Sequence, residues 1–341
     1  MNENKTNINW LACIYDDYRL NLYIMSVCVN WDLASFNKKV VKNEKKRLKY
    51  TYFCEELEYW LVICQRILNQ KKGCCNMNKL TMIGTGHGFV HELYNTCFII
   101  NDYFLIDTGG SADIVKNLKL ADIKLTDIHD VFISHTHTDH LLGLFWLLKR
   151  LTGMYRSEKY TGKLNIYCND EVAVAITDIY KHLYPDVYVD LINEYINIIV
   201  VNDGEELTIN NQKYKFIDLK ASKNKLYGFE TTFDNGKTLV FLGDETLNPE
   251  LYNVVKDKDY VMHEAFCLDA DKEIFKPYEK KHSTVKYVCE SLNKLNIKNL
   301  ILYHTEDTHP IDKDILYMEE AKQYFDNNVI VPKDLDVIEI K

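Results

Sequence analysis

Proline is scarce, five residues in a chain of 341, and glycine reaches only 13. That shortage excludes collagen-like chains and Pro/Gly-rich disorder. Long apolar runs are also missing. The longest, such as Trp60 to Cys64 and Leu141 to Leu148, fall well short of the roughly 20 residues that span a bilayer. Asp16, Asp17 and Arg19 interrupt the apolar stretch near the start, which therefore reads as neither a secretion signal nor a membrane anchor. A cytoplasmic protein with no membrane partner is the expectation. The ten cysteines lack disulfide-framework spacing and read as reduced thiols, mostly small buried hydrophobes. Cys74 and Cys75 have no histidine to join them in a zinc knuckle, because none occurs in residues 1–86.

What is present is ordinary globular material, 47% hydrophobic and 27% charged, enough for one large core or two domains. Charge is uneven. Residues 1–76 carry a net +4 and the remainder −13. An acidic body gives no long-range attraction for nucleic acid, although bound cations can still create a local positive site. Residues 1–76 are rich in Asn, Lys and Tyr, and helical periodicity from Glu55 to Leu68 marks a mainly helical extension. The run Lys38 to Lys49 reads as a solvated helix face. Lys71-Lys72-Gly73 reads as a linker, and the pattern changes at Met77.

From there strands and helices alternate to the end, implying a layered α/β body over 77–341. Strands are expected at 79–83, 95–101, 103–107, 130–134, 163–167, 196–201, 213–219, 226–233, 238–242, 260–263 and 299–303. Helices are expected at 141–151, 171–183, 283–295 and 312–325. Gly84-Thr85-Gly86-His87-Gly88 is not a dinucleotide fingerprint, since another strand follows it instead of a helix.

The chemistry concentrates in His135-Thr136-His137-Thr138-Asp139-His140, between an apolar strand and an apolar helix. In extended chain, residues i and i+2 face the same way, so His135 and His137 can reach one metal. The turn into the helix points Asp139 and His140 elsewhere, toward a second metal about 3.5–4 Å away. Imidazole with carboxylate suits zinc or another borderline divalent ion. Asp244 and His304 each follow an apolar strand, where a layered α/β fold places ligands.

This H-x-H-x-D-H segment resembles the signature of the metallo-β-lactamase superfamily. Downstream, Phe241-Leu242-Gly243-Asp244, Val261-Met262-His263-Glu264-Ala265-Phe266, His282-Ser283-Thr284 and Leu302-Tyr303-His304-Thr305 resemble, in order, the motifs of ribonuclease Z and its relatives. The resemblance covers nearly all of 77–341 and implies a four-layer αββα sandwich. It further implies one or two Zn2+ ions: His135 and His137 on the first, Asp139, His140 and His304 on the second, and Asp244 bridging. It implies phosphodiester hydrolysis by a metal-activated water that Asp139 orients or deprotonates. His282 would face the scissile phosphate as a general acid or electrostatic clamp. His263, Glu264 and Asp107 would orient ligands, RNA falls within the implied substrate class as in tRNA 3′-processing endonucleases, and a homodimer is implied as well.

Two departures qualify the resemblance. The family's third histidine on the first metal is missing, since no histidine occurs between His182 and His263. Lys220 or Ser222 stands in its place, with Asp218 the nearest substitute ligand. The long tRNA-gripping arm of many ribonuclease Z proteins is also missing, because only Tyr227–Leu242 precedes Gly243 and Asp244. Two alternatives therefore stand beside a phosphodiesterase. One is a hydrolase of another ester, thioester or lactone. The other is a degenerate single-metal binding domain without catalysis. If residues 1–76 are a separate unit, a protein begun at Met77 is expected to fold and retain its metal. Circular dichroism and metal content check this, and aggregation would place the N-terminal tryptophans in the core.

Overall fold

The computed structural model describes residues 78–341, apart from 193 and 309–311, together with two short stretches nearer the start. The chain divides into two compact units, Met1–Cys75 and Asn76–Lys341. In the first unit, strands Cys13–Asp16 and Arg19–Leu22 pair antiparallel. The expected helix Glu55–Leu68 and the basic run 38–49 lie outside the described residues.

The second unit contains two seven-stranded mixed sheets. The first sheet uses β1 (Lys79–Gly84), β2 (Cys97–Ile100), β3 (Phe104–Ile106), β4 (Asp130–Ile133), β5 (Leu164–Cys168) and β6 (Ile196–Val200). The second uses β7 (Glu206–Ile209), β8 (Gln212–Asp218), β9 (Tyr227–Thr232), β10 (Thr238–Phe241), β11 (Tyr260–Glu264), β12 (Asn299–Tyr303) and β13 (Asn328–Ile330). A last strand, β14 (Val337–Glu339), returns to pair antiparallel with β1 at the edge of the first sheet. Strands β3 to β6 run parallel to their neighbours, as do β10 to β13. The remaining pairs are antiparallel.

Alternation along each strand sorts residues into separate cores. Phe98, Phe132, Phe241 and Tyr303 face the layer between the sheets. Their neighbours Ile99, Val131 and Ile133 pack outward against helices α1 (Asp113–Leu120), α2 (Thr138–Arg156) and α3 (Asp170–Leu183). Val240, Leu300 and Leu302 pack against α4 (Val285–Leu292) and α5 (Lys313–Ala321) on the far side. The result is the αββα metallo-β-lactamase sandwich. Edge-to-face rings lock its central layer, with Phe104 to Tyr214 at 4.7 Å and Phe98 to Phe241 at 5.2 Å.

Most expected elements appear with ends shifted by a few residues. Helix α2 starts at Thr138 and not at Leu141, because the chain turns immediately after His137, whose extended backbone forms the N-cap. Strands β7, β13 and β14 were not expected. They are short edge or near-edge strands with partly exposed faces, which leave little hydrophobic signal. No described helix is long and apolar enough to cross a membrane.

Helix α2 lies very close to the turn after β3. A Cβ at Gly143 would sit 1.9 Å from the Thr108 carbonyl oxygen, whereas Gly153 in the same helix faces open space. Gly143→Ala is expected to cost at least about 1–3 kcal/mol through overpacking. Gly153→Ala should gain about 0.5–1 kcal/mol. Denaturant unfolding of both variants checks the pair, and equal effects would contradict the packing described.

Candidate metal centre

The C-terminal ends of β1, β3, β4, β10, β11 and β12 and the segments that follow them supply most of the chemistry-bearing residues. Asp244 lies at the centre, 3% exposed. One of its oxygens is 3.5 Å from His135 Nε2. The other is 3.4 Å from His140 Nε2, 3.7 Å from His304 Nε2 and 4.0 Å from His137 Nδ1. Asp139, in the first turn of α2, has an oxygen 3.4 Å from His140 Nε2. These separations are long for hydrogen bonds. They match the spacing of about 3.3 Å between ligand atoms arranged tetrahedrally around zinc at about 2.0–2.1 Å.

Three rings are held at Nδ1 so that Nε2 stays available. Asp107 accepts from His140 Nδ1 at 2.7 Å. The Ser134 hydroxyl donates to Asp107, so its oxygen accepts from His135 Nδ1 at 3.0 Å. The Thr96 hydroxyl donates to the Gly86 carbonyl and likewise accepts from His304 Nδ1 at 2.9 Å. Each arrangement engages Nδ1 and leaves Nε2 as the nitrogen that can ligate a cation once it is free of a proton. His135 Nε2 and His140 Nε2 are buried without a hydrogen-bond partner among the described residues. Buried, unpartnered imidazole nitrogens around a buried carboxylate fit a borderline divalent ion such as zinc.

The charges agree. Burial holds His135 down at about 4 and His304 well below the usual histidine range, so both are neutral at pH 7. Burial opposes the charged forms of His140 and Asp244 too, but their neighbours overcome it. Asp139, Asp244 and Asp107 raise His140, and His135, His140 and His304 hold Asp244 well below the carboxylate range. Without a cation, His140 keeps a proton that a metal must displace.

Three groupings bring ligand atoms within 4.8 Å of one another: His135, His140 and Asp244; Asp139, His140 and His304; Asp244, His282 and His304. His137 stands at the rim, its side chain 36% exposed. His282 is buried and stacks on Phe266 at 4.8 Å, with Nδ1 3.8 Å from Glu264. Burial holds His282 at about 4 and raises Glu264. His263 is buried and its Nδ1 donates to the Glu264 carbonyl. The structure turns Lys220 away from a ligand's task. Its ammonium pairs with Asp218 at 3.0 Å and Asp203 at 3.5 Å, which also occupies Asp218. The Ser222 N–H donates to Glu245, and Asn224 reaches Thr136 between the two motif histidines. Lys220, Ser222 and Asp218 belong to none of the three groupings.

The Thr96 and Ser134 hydroxyls escaped the sequence analysis, because a lone hydroxyl carries no spacing signal. His87 also reaches the site, and the glycines on either side of it were the available sign.

The model of the family described as "Anti-Pycsar protein Apyc1" matches residues 78–331. The ribonuclease Z of Archaeoglobus fulgidus is 25% identical over 307 residues, 74% of this chain and 94% of that protein. The ribonuclease Z of Macrococcus caseolyticus is 26% identical over 294 residues, covering 68% and 89%. Among solved structures, the metallo-β-lactamase fold protein YhfI from Bacillus subtilis superposes with a TM-score of 0.63 at 20% identity, covering 77% of this chain and 100% of that one. The short form of human tRNase Z gives 0.56 at 19%, covering 77% and 99%.

Metal affinity is expected to rise with pH, because His140 must lose its proton to ligate. Asp107→Ala should lower zinc affinity by roughly 10–100-fold at alkaline pH, where protons no longer compete. It should also move the midpoint of the pH dependence down, because one charge that raises His140 is gone. Competition titration with a chelator across pH checks both. An unchanged affinity would remove Asp107 from the site's support.

Proposed function

The chain belongs to the anti-Pycsar protein Apyc1 family, and from that premise we propose that it is a metal-dependent phosphodiesterase whose substrate is a cyclic nucleotide. His135, His137, Asp139, His140, Asp244 and His304 would hold one or two divalent ions, zinc fitting the donor set. Bound there, such ions polarise a phosphoryl group and lower the pKa of water toward 7. Asp139 is kept ionised by His140 and His304 against the cost of burial, so it can accept a hydrogen bond from the attacking water and orient it. Water adds at phosphorus and gives up a proton to solvent, the ring P–O bond breaks, the freed ring oxygen takes a proton from solvent, and a linear nucleotide monophosphate leaves.

The observation that carries the substrate reading is the short connection between β9 and β10. It spans 233–237 and is closed by the Phe233 N–H on the Lys237 carbonyl. No tRNA-gripping arm stands there, and a small substrate needs none. The acidic net charge supports the same choice, because a long RNA gains little from such a body.

His282 contributes as a donor to a phosphoryl oxygen. Burial keeps its ring neutral at pH 7, which favours hydrogen-bond donation over supply of a proton to the leaving oxygen. Cyclic nucleotides and a tRNA precursor, offered to the zinc-loaded protein, test the function. Cleavage of the precursor alone would overturn the reading in favour of the ribonuclease Z relatives' activity. His282→Ala is expected to keep its metal and to lose roughly 10²–10³ in turnover. The loss should be similar for a cyclic nucleotide and for bis(p-nitrophenyl) phosphate. A much smaller loss on the p-nitrophenyl diester would make His282 a general acid.

A further inference from the structure

Strand β1 runs into Gly84-Thr85-Gly86-His87-Gly88, and the metal ligands and His282 leave His87 without a task. Its ring packs on Phe266 at 4.4 Å and lies 6.2 Å from His304. Phe266 is also the ring on which His282 stacks. Two histidines outside the proposed ligand set therefore share one aromatic support beside the site.

The backbone around His87 is fixed from several sides. Its N–H donates to the Thr305 carbonyl, next to His304, at 3.1 Å. Its carbonyl accepts from Asn95 Nδ2 at 2.7 Å, and Asn95 Oδ1 accepts from the Gly110 N–H. Gly88 lets the loop lie directly on Asp139, since a Cβ there would approach the carboxylate carbon to 3.1 Å. The ring itself is oriented by a backbone contact. The Phe89 N–H donates to His87 Nδ1 at 3.0 Å. Nδ1 is thereby the acceptor and the ring hydrogen sits on Nε2. That Nε2–H makes no hydrogen bond among the described residues. The hydrogen bond at Nδ1 fixes the ring while its other nitrogen keeps a free hydrogen to offer. Such a ring suits a preorganised donor, whose orientation cost is met during folding.

We propose that His87 is a catalytic residue, its Nε2–H donating to a non-bridging oxygen of the substrate phosphodiester beside His282. The proposal rests on the phosphodiesterase reading of the site. A diester anion carries two non-bridging oxygens, and charge on them grows as water adds. Two neutral donors, both packed on Phe266, meet that charge without competing with the substrate for the metal.

The test uses the zinc-loaded full-length protein with inorganic phosphate as the probe, so that it does not depend on turnover. H87F keeps a ring and removes the donor, whereas H87Q offers an amide N–H near the Nε2 position. Zinc stoichiometry should be unchanged in both. Phosphate affinity should fall roughly 10–100-fold in H87F, the usual range for a hydrogen bond to a charged group, and recover most of the loss in H87Q. The catalytic efficiency on a cyclic nucleotide should follow the same order. If H87F does not fold, H87N, too short to reach the Nε2 position, takes its place. Undiminished phosphate affinity in H87F or H87N overturns the role of His87, as does loss of zinc from a folded variant, which would make it a ligand. Phosphate binding that follows the expected order in a protein that hydrolyses no diester would support His87 as an anion donor and overturn the function proposed above instead.

Discussion

A buried carboxylate surrounded by imidazoles is the constraint on which this domain turns. Asp244 lies within 4.0 Å of His135, His137, His140 and His304, and three of those four rings are also buried. Burying a charge is costly unless it is paired and its remaining hydrogen-bonding capacity is met. Here the protein pairs Asp244 with rings whose other nitrogens are already occupied by Asp107, Ser134 and Thr96. The arrangement leaves a concentrated set of lone pairs at one point. A proton on His140 can balance it, and on the reading proposed above a divalent cation takes that role.

The sandwich supplies the rigidity this requires. The proposed ligands follow β4, β10 and β12, each with a parallel neighbour, and the ends of such strands are the usual position for ligands in layered α/β folds. The Phe and Tyr layer between the sheets fixes the spacing of those strand ends. Supporting contacts then fix the loops. Lys313 is nearly fully buried, and its ammonium donates to Thr85 and Thr305, tying the loop before His87 to the one after His304. Burial lowers Lys313 to about 8, so most of it is still charged at pH 7.

The same fold serves several chemistries, and the substrate is decided by what surrounds the ligand set. In this chain the loop between β8 and β9 carries an ion pair, Lys220 with Asp218, where the resemblance leads one to expect a histidine. The turn from β9 to β10 is tight. Phe266 carries His87 on one contact and His282 on another. These features describe a small polar site at the rim of the buried His/Asp cluster, with its side chains held in place before any ligand arrives.

Apart from β7, the order of the main strands and helices in 79–325 was legible because the central strands are buried on both faces and the helices carry apolar stripes. The imidazoles and carboxylates at His135 to His140, Asp244 and His304 were legible as a cluster as well, because their residue types and spacing stand out along the chain. Spacing alone does not show how close His137 and His140 come to the same carboxylates. In the folded chain His140 reaches both Asp244 and Asp139, since α2 begins one residue after His137 and swings its ring back toward the sheet. The edge strands β7, β13 and β14 stayed hidden because a strand exposed on one side needs no strict pattern. What the sequence determined by itself is local: periodicity, turn residues and the stock of metal ligands. Only the tertiary structure decided that Lys220 pairs with Asp218, that Thr96 and Ser134 orient rings, and that His87 joins His282 on Phe266. Those depend on distances between residues remote in the chain, and such distances exist only once both sheets have packed.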